Sequence, residues 1–402
     1  MININSEIGR LEAVILHRPG VEIERMTPEN ANKALFSDIL NKNIANQEYN
    51  QFEGVLKKVA KTLEVKELLS DILKIESVKN EILNNISETE NFNQKYLKDF
   101  SNDKLASVLI EGLQIKEDFS DERYALKPLY NFFFTRDASI SVYNKVLIGK
   151  MANKVRDREA MIMDNIFRYH EFFKAETMNP VKETKETTIE GGDVLIARND
   201  ILLVGVGGRT THKGIDFIIN QFKNKTTKQH IIFQELPLEP ESFIHLDMVF
   251  TLLDNDKCML YSPLILEQNS FDTVHITIEN GQVKTEKEDN LLSALKKLGM
   301  DLKPVYCGGK TDNWTQQREQ WHSGANFFAF APGKVIGYGR NVHTIEEMNK
   351  NGFDVLKAQD VASGKINVDD YKSCVVTIDG AELPRGGGGA RCMTMPVRRV
   401  DL

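Results

Sequence analysis

The residues of this chain that could carry covalent chemistry fall in four short clusters. Three bear acids: Phe134-Thr135-Arg136-Asp137, Glu190-Gly191-Gly192-Asp193 and His245-Leu246-Asp247. The fourth, Arg385-Gly386-Gly387-Gly388-Gly389-Ala390-Arg391-Cys392-Met393, delivers a thiol behind four glycines, whose backbone adopts shapes other residues resist. A thiol attacks only as thiolate, and an ordinary cysteine pKa of about 8.5 leaves a few per cent ionised at neutral pH. Arg391, His245 or a bound cation could each favour the thiolate, whereas nearby carboxylates oppose it until a cationic substrate arrives. A guanidinium is planar, carries five donors and pairs with carboxylates through two hydrogen bonds at once. Asp137, Glu190 and Asp247 are a chemically apt receptor for one, so thiolate activation assisted by the substrate is the expectation.

Acids so far apart in sequence meet only if a repeated architecture brings them together. Beyond Asn131 the chain repeats a strand, a tight turn, a second strand and a helix at intervals of roughly fifty residues. Hairpin turns are expected at Arg198-Asn199-Asp200, Asp254-Asn255-Asp256-Lys257, Pro332-Gly333 and Asn280-Gly281. Helices are expected at 158–173, 211–222 and 344–350, the last stopped by Gly352. The acid clusters open successive units, so units arranged around an axis would bring them to one end. Nearer the N-terminus, Leu11–Leu16 reads as a strand and 48–63 as an amphipathic helix through Phe52, Val55, Leu56, Val59 and Leu63. Residues 70–118 change character: Asn, Lys and Glu abound, Gly is nearly absent, and Ile75, Val78, Ile82 and Ile86 keep a helical period. This predicts an inserted helical subdomain at 70–118, with 1–69 and 119–402 forming the catalytic α/β domain.

The 402 residues suffice for a substantial core, and 41% hydrophobic with 27% charged residues is an ordinary globular balance. No apolar run of about eighteen residues could cross a bilayer, and the N-terminus has no secretion-signal pattern, so no membrane partner and a cytoplasmic location are expected. A net charge of -7 argues against nucleic acid as partner but suits a small cationic substrate. Cys258, Cys307, Cys374 and Cys392 lack the CxxC spacing of a zinc site and the density of a disulfide scaffold, which reads as reduced thiols.

Asn131-Phe132-Phe133-Phe134-Thr135-Arg136-Asp137, EGGD, HLD, REQW at 318–321 and the glycine-rich RCMTMP terminus, in this order and spacing, resemble arginine deiminase, a family of the guanidine-modifying pentein superfamily. The resemblance runs from the RLEAVILHRPG opening to the last residues. It implies a five-fold pseudosymmetric α/β propeller with a helical insertion, and hydrolysis of free L-arginine to citrulline and ammonia. It also implies that Cys392 is the nucleophile, His245 the general acid and base, Glu190 its support in proton transfer, and Asp137 with Asp247 the guanidinium-binding pair. Asn131, Arg156 and Arg209 stand where the family holds the α-carboxylate, and Asp193 and Arg391 join the expected substrate-binding set. No metal or cofactor is expected, since the substrate itself is the cation that organises the acids. Dimers or higher homo-oligomers are implied. Two positions depart from the common pattern: Gly387 replaces a frequent arginine, and His322 a frequent asparagine. The competing readings are a related enzyme acting on agmatine, a methylated arginine or citrulline, an amidinotransferase, and a non-catalytic arginine-binding protein.

Overall fold

The computed structural model describes residues 2–31, 36–90, 92–97, 99–115, 124–310 and 312–402. Five of its sheets share one arrangement, an antiparallel pair of strands with a further strand parallel to the pair's second member and helix in the connection between them; in two of the five, other strands also intervene in that connection. Ser139–Val142 and Lys145–Ile148 lead through the helix Asp157–Tyr169 to Thr177–Met178. Val194–Arg198 and Ile201–Val206 lead through His212–Phe222 to Gln229–Glu235. Phe250–Asp254 and Lys257–Leu260 are completed by Lys303–Tyr306, and Phe328–Ala331 with Lys334–Tyr338 by Cys374–Ile378. The last unit joins the chain ends: Met395–Arg399 pairs antiparallel with Leu11–Leu16, which continues through Lys42–Val59 to a parallel Lys61–Glu64. The fold is mixed α/β.

Local chemistry explains most boundaries. Asn280 and Gly281 have φ of 50° and 76°, the left-handed pair that a two-residue hairpin between Thr273–Glu279 and Gln282–Glu288 requires. Thr211 caps the helix His212–Phe222 by accepting from the Gly214 amide, and Gly352 at φ 89° follows the helix Val342–Lys350. The strands read as hairpins pair as expected at 194–206, 250–260 and 328–338. The N-terminal helix differs from the sequence reading: it is Lys42–Val59, and Leu63 belongs to the strand Lys61–Glu64. Leu63 keeps the helical spacing of Phe52, Val55, Leu56 and Val59, but the helix ends at Ala60, whose backbone is extended.

Three helices, Val65–Ile72, Glu76–Glu90 and Asn102–Glu111, occupy the region read as an insertion. Helix therefore begins at Val65, before the expected boundary at 70, while the expected boundary at 118 lies outside the described residues. Val78, Ile82 and Ile86 are buried; Ile75 falls between two helices and is exposed. Leu69, Ile82, Ile86 and Leu109 share a core with Ile15, Phe132, Ile162 and Phe167. Burying a side chain of this kind stabilises by roughly 1.5–3 kcal/mol, so these contacts tie the helical layer firmly to the sheets. Among the described residues no helix is long and apolar enough to cross a membrane.

Candidate active site

Each acid cluster sits on a single helical turn immediately before the first strand of a unit. The turn Thr135–Ala138 precedes Ser139–Val142, Gly191–Asp193 precedes Val194–Arg198, and Leu246–Met248 leads into Phe250–Asp254. Cys392 holds the same place before Met395–Arg399, and Asn326 before Phe328–Ala331. Asp137, Glu190 and Cys392 line one cavity with His245, Asn131, Arg156 and Arg209, enclosing about 360 Å³ of space counting its mouth. A roomier surface cavity lined by Arg10, Lys58, Lys334 and Asp369 shares none of these residues and is lined by no thiol and no histidine. The chemistry is therefore assigned to the smaller one.

His245 is fixed on one side: its Nε2 pairs with Glu190 Oε2 at 3.0 Å, while Glu190 Oε1 accepts the Ala152 amide at 2.9 Å. Its Nδ1 faces Asp137 Oδ1 at 3.7 Å, and neither atom has a hydrogen-bond partner. Burial alone would lower the His245 pKa, but Asp137, Glu190 and Asp193 outweigh it and push it up to about 9. Burial would conversely raise Glu190; its hydrogen bond to His245 and the charges of His245, Arg209 and Arg156 bring it down to about 2. Both shifts favour the ionised pair, an imidazolium and a carboxylate, and Nδ1 is the ring nitrogen left without a hydrogen-bond partner.

The two acids expected to grip a guanidinium are each anchored by an arginine of the chain. Arg156 donates to Asp137 Oδ2 at 2.6 Å and to Glu159 Oε2 at 2.8 and 2.9 Å, and also to the carbonyls of Asn131 and Phe134. Arg391 donates to Asp247 Oδ2 at 2.8 Å and forms a two-point pair with Glu7 at 3.0 Å. Arg391 and Asp193 are buried behind the cavity rather than lining it. Asp193 accepts the Leu246 amide at 2.9 Å, and burial pushes its pKa up to about 7. Both contact the protein itself, which places them as supports of the turns and of Asp247.

Cys392 is 2% exposed, with Sγ 3.7 Å from Asp247 Oδ2 and accepting from Asn326 Nδ2 at 3.2 Å. Burial, then Asp247 and Asp137, push the thiol well above its usual range, opposed by the Gly389 amide and Arg391. The acids beside it therefore oppose an anion on this sulfur. Cys258, Cys307 and Cys374 are also free, buried and raised, so depth alone does not single out Cys392. Its neighbours do.

Sequence reasoning missed Asn326, Glu7 and Glu159. Asn326 was findable, since it stands just before the strand pair split by Pro332-Gly333, where other units place an acid or the cysteine. Its Oδ1 accepts the Arg391 amide at 2.9 Å while its Nδ2 reaches Sγ, so one side chain orients the loop that carries Cys392. Gly387 has φ 87° and nothing within 4 Å of a would-be Cβ, so backbone conformation rather than space limits a side chain there. His322 lies outside the cavity lining; burial, followed by Arg340, Arg318 and Arg385, lowers its pKa to about 4.

Gly192 is required by close approach, because a Cβ there would lie 2.4 Å from His245 Nδ1. Gly192→Ala is expected to displace the ring and lower kcat by roughly 100-fold, as ångström-scale misplacement of a reacting group does. Steady-state kinetics alongside near-ultraviolet circular dichroism checks this. An unchanged kcat would show that the ring position is not critical.

A sequence profile described as arginine deiminase matches residues 32–399. The arginine deiminase of Borrelia garinii subsp. bavariensis is 33% identical over 431 residues, covering 100% of this chain and 98% of that protein. The Mycoplasma capricolum enzyme of the same name is 33% identical over 419 residues with the same coverage. Among solved structures, the N-terminal domain of ArgZ, a cyanobacterial arginine dihydrolase bound to substrate, superposes with a TM-score of 0.55 at 13% identity. That alignment covers 97% of this chain and 99% of that one, and it supports the fold alone. Profile and full-length identity, joined to a buried cysteine, histidine and acids in one cavity, establish that the chain belongs to the arginine deiminase family.

Proposed function

We propose that this chain hydrolyses free L-arginine to L-citrulline and ammonia through a covalent intermediate on Cys392. The observation that carries the reading is the convergence of Cys392, His245, Glu190 and Asp137 on a cavity whose other wall holds Arg156 and Arg209. The substrate guanidinium enters between Asp137, whose Oδ1 has no hydrogen-bond partner, and Asp247, which touches Sγ. Its charge offsets the acids that raise the thiol, and Cys392 gives up its proton to solvent as the complex forms, His245 being already protonated. The thiolate attacks the guanidinium carbon to form a carbon–sulfur bond and a tetrahedral adduct. His245 Nδ1 protonates the departing nitrogen, ammonia leaves, and an S-alkylthiouronium remains. The neutral imidazole then takes one proton from water as its oxygen bonds to the same carbon; the carbon–sulfur bond breaks, the remaining hydroxyl proton passes to the sulfur to restore the thiol, and citrulline departs.

Arg209 is the more available clamp for the substrate carboxylate. Among the described residues it makes no ion pair, and it lines both the cavity and the adjoining outer groove near Trp321. Arg156, held by Asp137 and Glu159, contributes chiefly by keeping Asp137 in place. Arg209→Ala is accordingly expected to lower kcat/KM for arginine by roughly 10–100-fold, the worth of a charge-assisted hydrogen bond, mostly through KM. Discrimination against agmatine, which lacks the carboxylate, should narrow in parallel. Equal losses on both compounds would remove Arg209 from the clamp.

The five sheets with a common connection support a five-fold pseudosymmetric propeller, with the cavity where equivalent turns meet and the helices near 70–118 as its insertion. A cytoplasmic homo-oligomer is part of the same reading. Incubating the protein separately with arginine, agmatine and citrulline, and measuring ammonia and ureido product, tests the function directly. Turnover of arginine alone is expected; preference for either other compound would move the chain to a different member of the guanidine-modifying group.

A further inference from the structure

We propose that His275, Glu286 and Glu288 form a binding site for one divalent transition-metal ion of the zinc type, outside the cavity of Cys392. His275 lies on the strand Thr273–Glu279, directly opposite Glu286 on Gln282–Glu288, and Glu288 stands opposite Thr273. Alternate residues share a face of a sheet, so both carboxylates and the imidazole stand on the same side. One nitrogen or oxygen from each residue lies within 4.8 Å of the others. His275 and Glu288 are buried at 7% and 6% exposure, while Glu286 is exposed.

The unusual feature is the pairing of His275 Nδ1 with Glu288 Oε1 at 3.7 Å, too long for a hydrogen bond. An ion with bonds of about 2.1 Å to each would bridge that 3.7 Å gap at an angle of about 120°, near the tetrahedral arrangement zinc prefers. The other ring nitrogen supports this. His275 Nε2 lies 2.8 Å from His230 Nδ1, itself on the neighbouring strand Gln229–Glu235. If Nε2 carries the proton and donates it to His230, the Nδ1 lone pair is directed at the carboxylates. Ligating histidines are oriented in this way by a second hydrogen bond. Lys297 on Glu288 Oε2 at 2.6 Å and Lys284 on Glu286 at 2.5 Å occupy the carboxylates in the free protein, and an ion must displace or share them.

Calorimetric titration of zinc chloride into the full-length Cys392→Ser chain tests the site with the active-site thiol removed. One ion per chain is expected, with affinity reduced at least tenfold in His275→Gln and Glu288→Gln and about 10–100-fold in His230→Phe. Glu286→Gln alters an exposed side chain that the fold does not need, and it should weaken binding as well. Absence of zinc binding at millimolar concentration, or binding unchanged in Glu286→Gln and His275→Gln, would overturn the proposal. Arginine turnover in otherwise native chains carrying Glu286→Gln should stay at its ordinary level.

Discussion

Cys392→Ser is expected to lower citrulline formation by roughly 10⁴-fold or more, the scale on which removal of an enzymatic nucleophile acts. The reason is specific to this cavity. Burial with Asp247 and Asp137 already opposes an anion on the thiol, and a serine hydroxyl, far less acidic, would face the same acids. A guanidinium could offset part of that cost for sulfur but not for oxygen. Arginine binding should survive, because Asp137, Asp247 and Arg209 are untouched, so calorimetry should still detect a complex that does not turn over. A serine variant within tenfold of the native rate would mean that water, not the side chain at 392, attacks the substrate.

His245→Gln should cost roughly 10²–10⁴-fold, the ordinary contribution of a positioned acid–base group. Glutamine can occupy the space beside Glu190 but cannot carry a proton to the departing nitrogen or accept one from water. The pH profile of the native enzyme adds a separate check. Because the imidazole is pushed up to about 9, the free enzyme holds the protonated form through neutrality, and kcat/KM should fall as pH rises through about 9. Glu190, lowered to about 2, should leave no inflection of its own in the working range. A kcat/KM that rises across pH 9 would show that the neutral imidazole is the form needed at the outset.

Much of the fold was legible because turn chemistry is local. Asn280-Gly281, Pro332-Gly333 and Asp254-Asn255-Asp256 mark their hairpins by backbone preference alone, whatever the rest of the chain does. The acid clusters were legible for another reason: each directly precedes a strand whose apolar run is unmistakable. Helix boundaries were less so, since the apolar spacing through Leu63 continues past the point where the backbone extends into Lys61–Glu64. The supporting contacts were the least visible. Glu7 meets Arg391 across 384 positions, and nothing near Glu7 announces a role. Arg156 illustrates the same limit, because its residue type suits a substrate carboxylate as well as it suits Asp137 and Glu159. Only the packed structure shows which acids it holds.

The geometry also explains how the end of a glycine run holds Cys392 in place. Asn326 binds the amide of Arg391 and the sulfur of Cys392, while the Arg391 side chain is clasped by Glu7 and Asp247. The segment is therefore anchored at its final residues, and Tyr338 holds the carbonyl of Gly388 at 3.1 Å just before them.

The covalent role of Cys392 is tested most directly by mixing enzyme with arginine, quenching in acid within the first turnovers, and measuring the mass of the peptide that contains this residue. An increase equal to arginine less ammonia, confined to that peptide and absent from Cys392→Ser, is the predicted result. Rapid citrulline production with the peptide unmodified at every quench time, under conditions shown to preserve a synthetic S-alkylthiouronium, would contradict it.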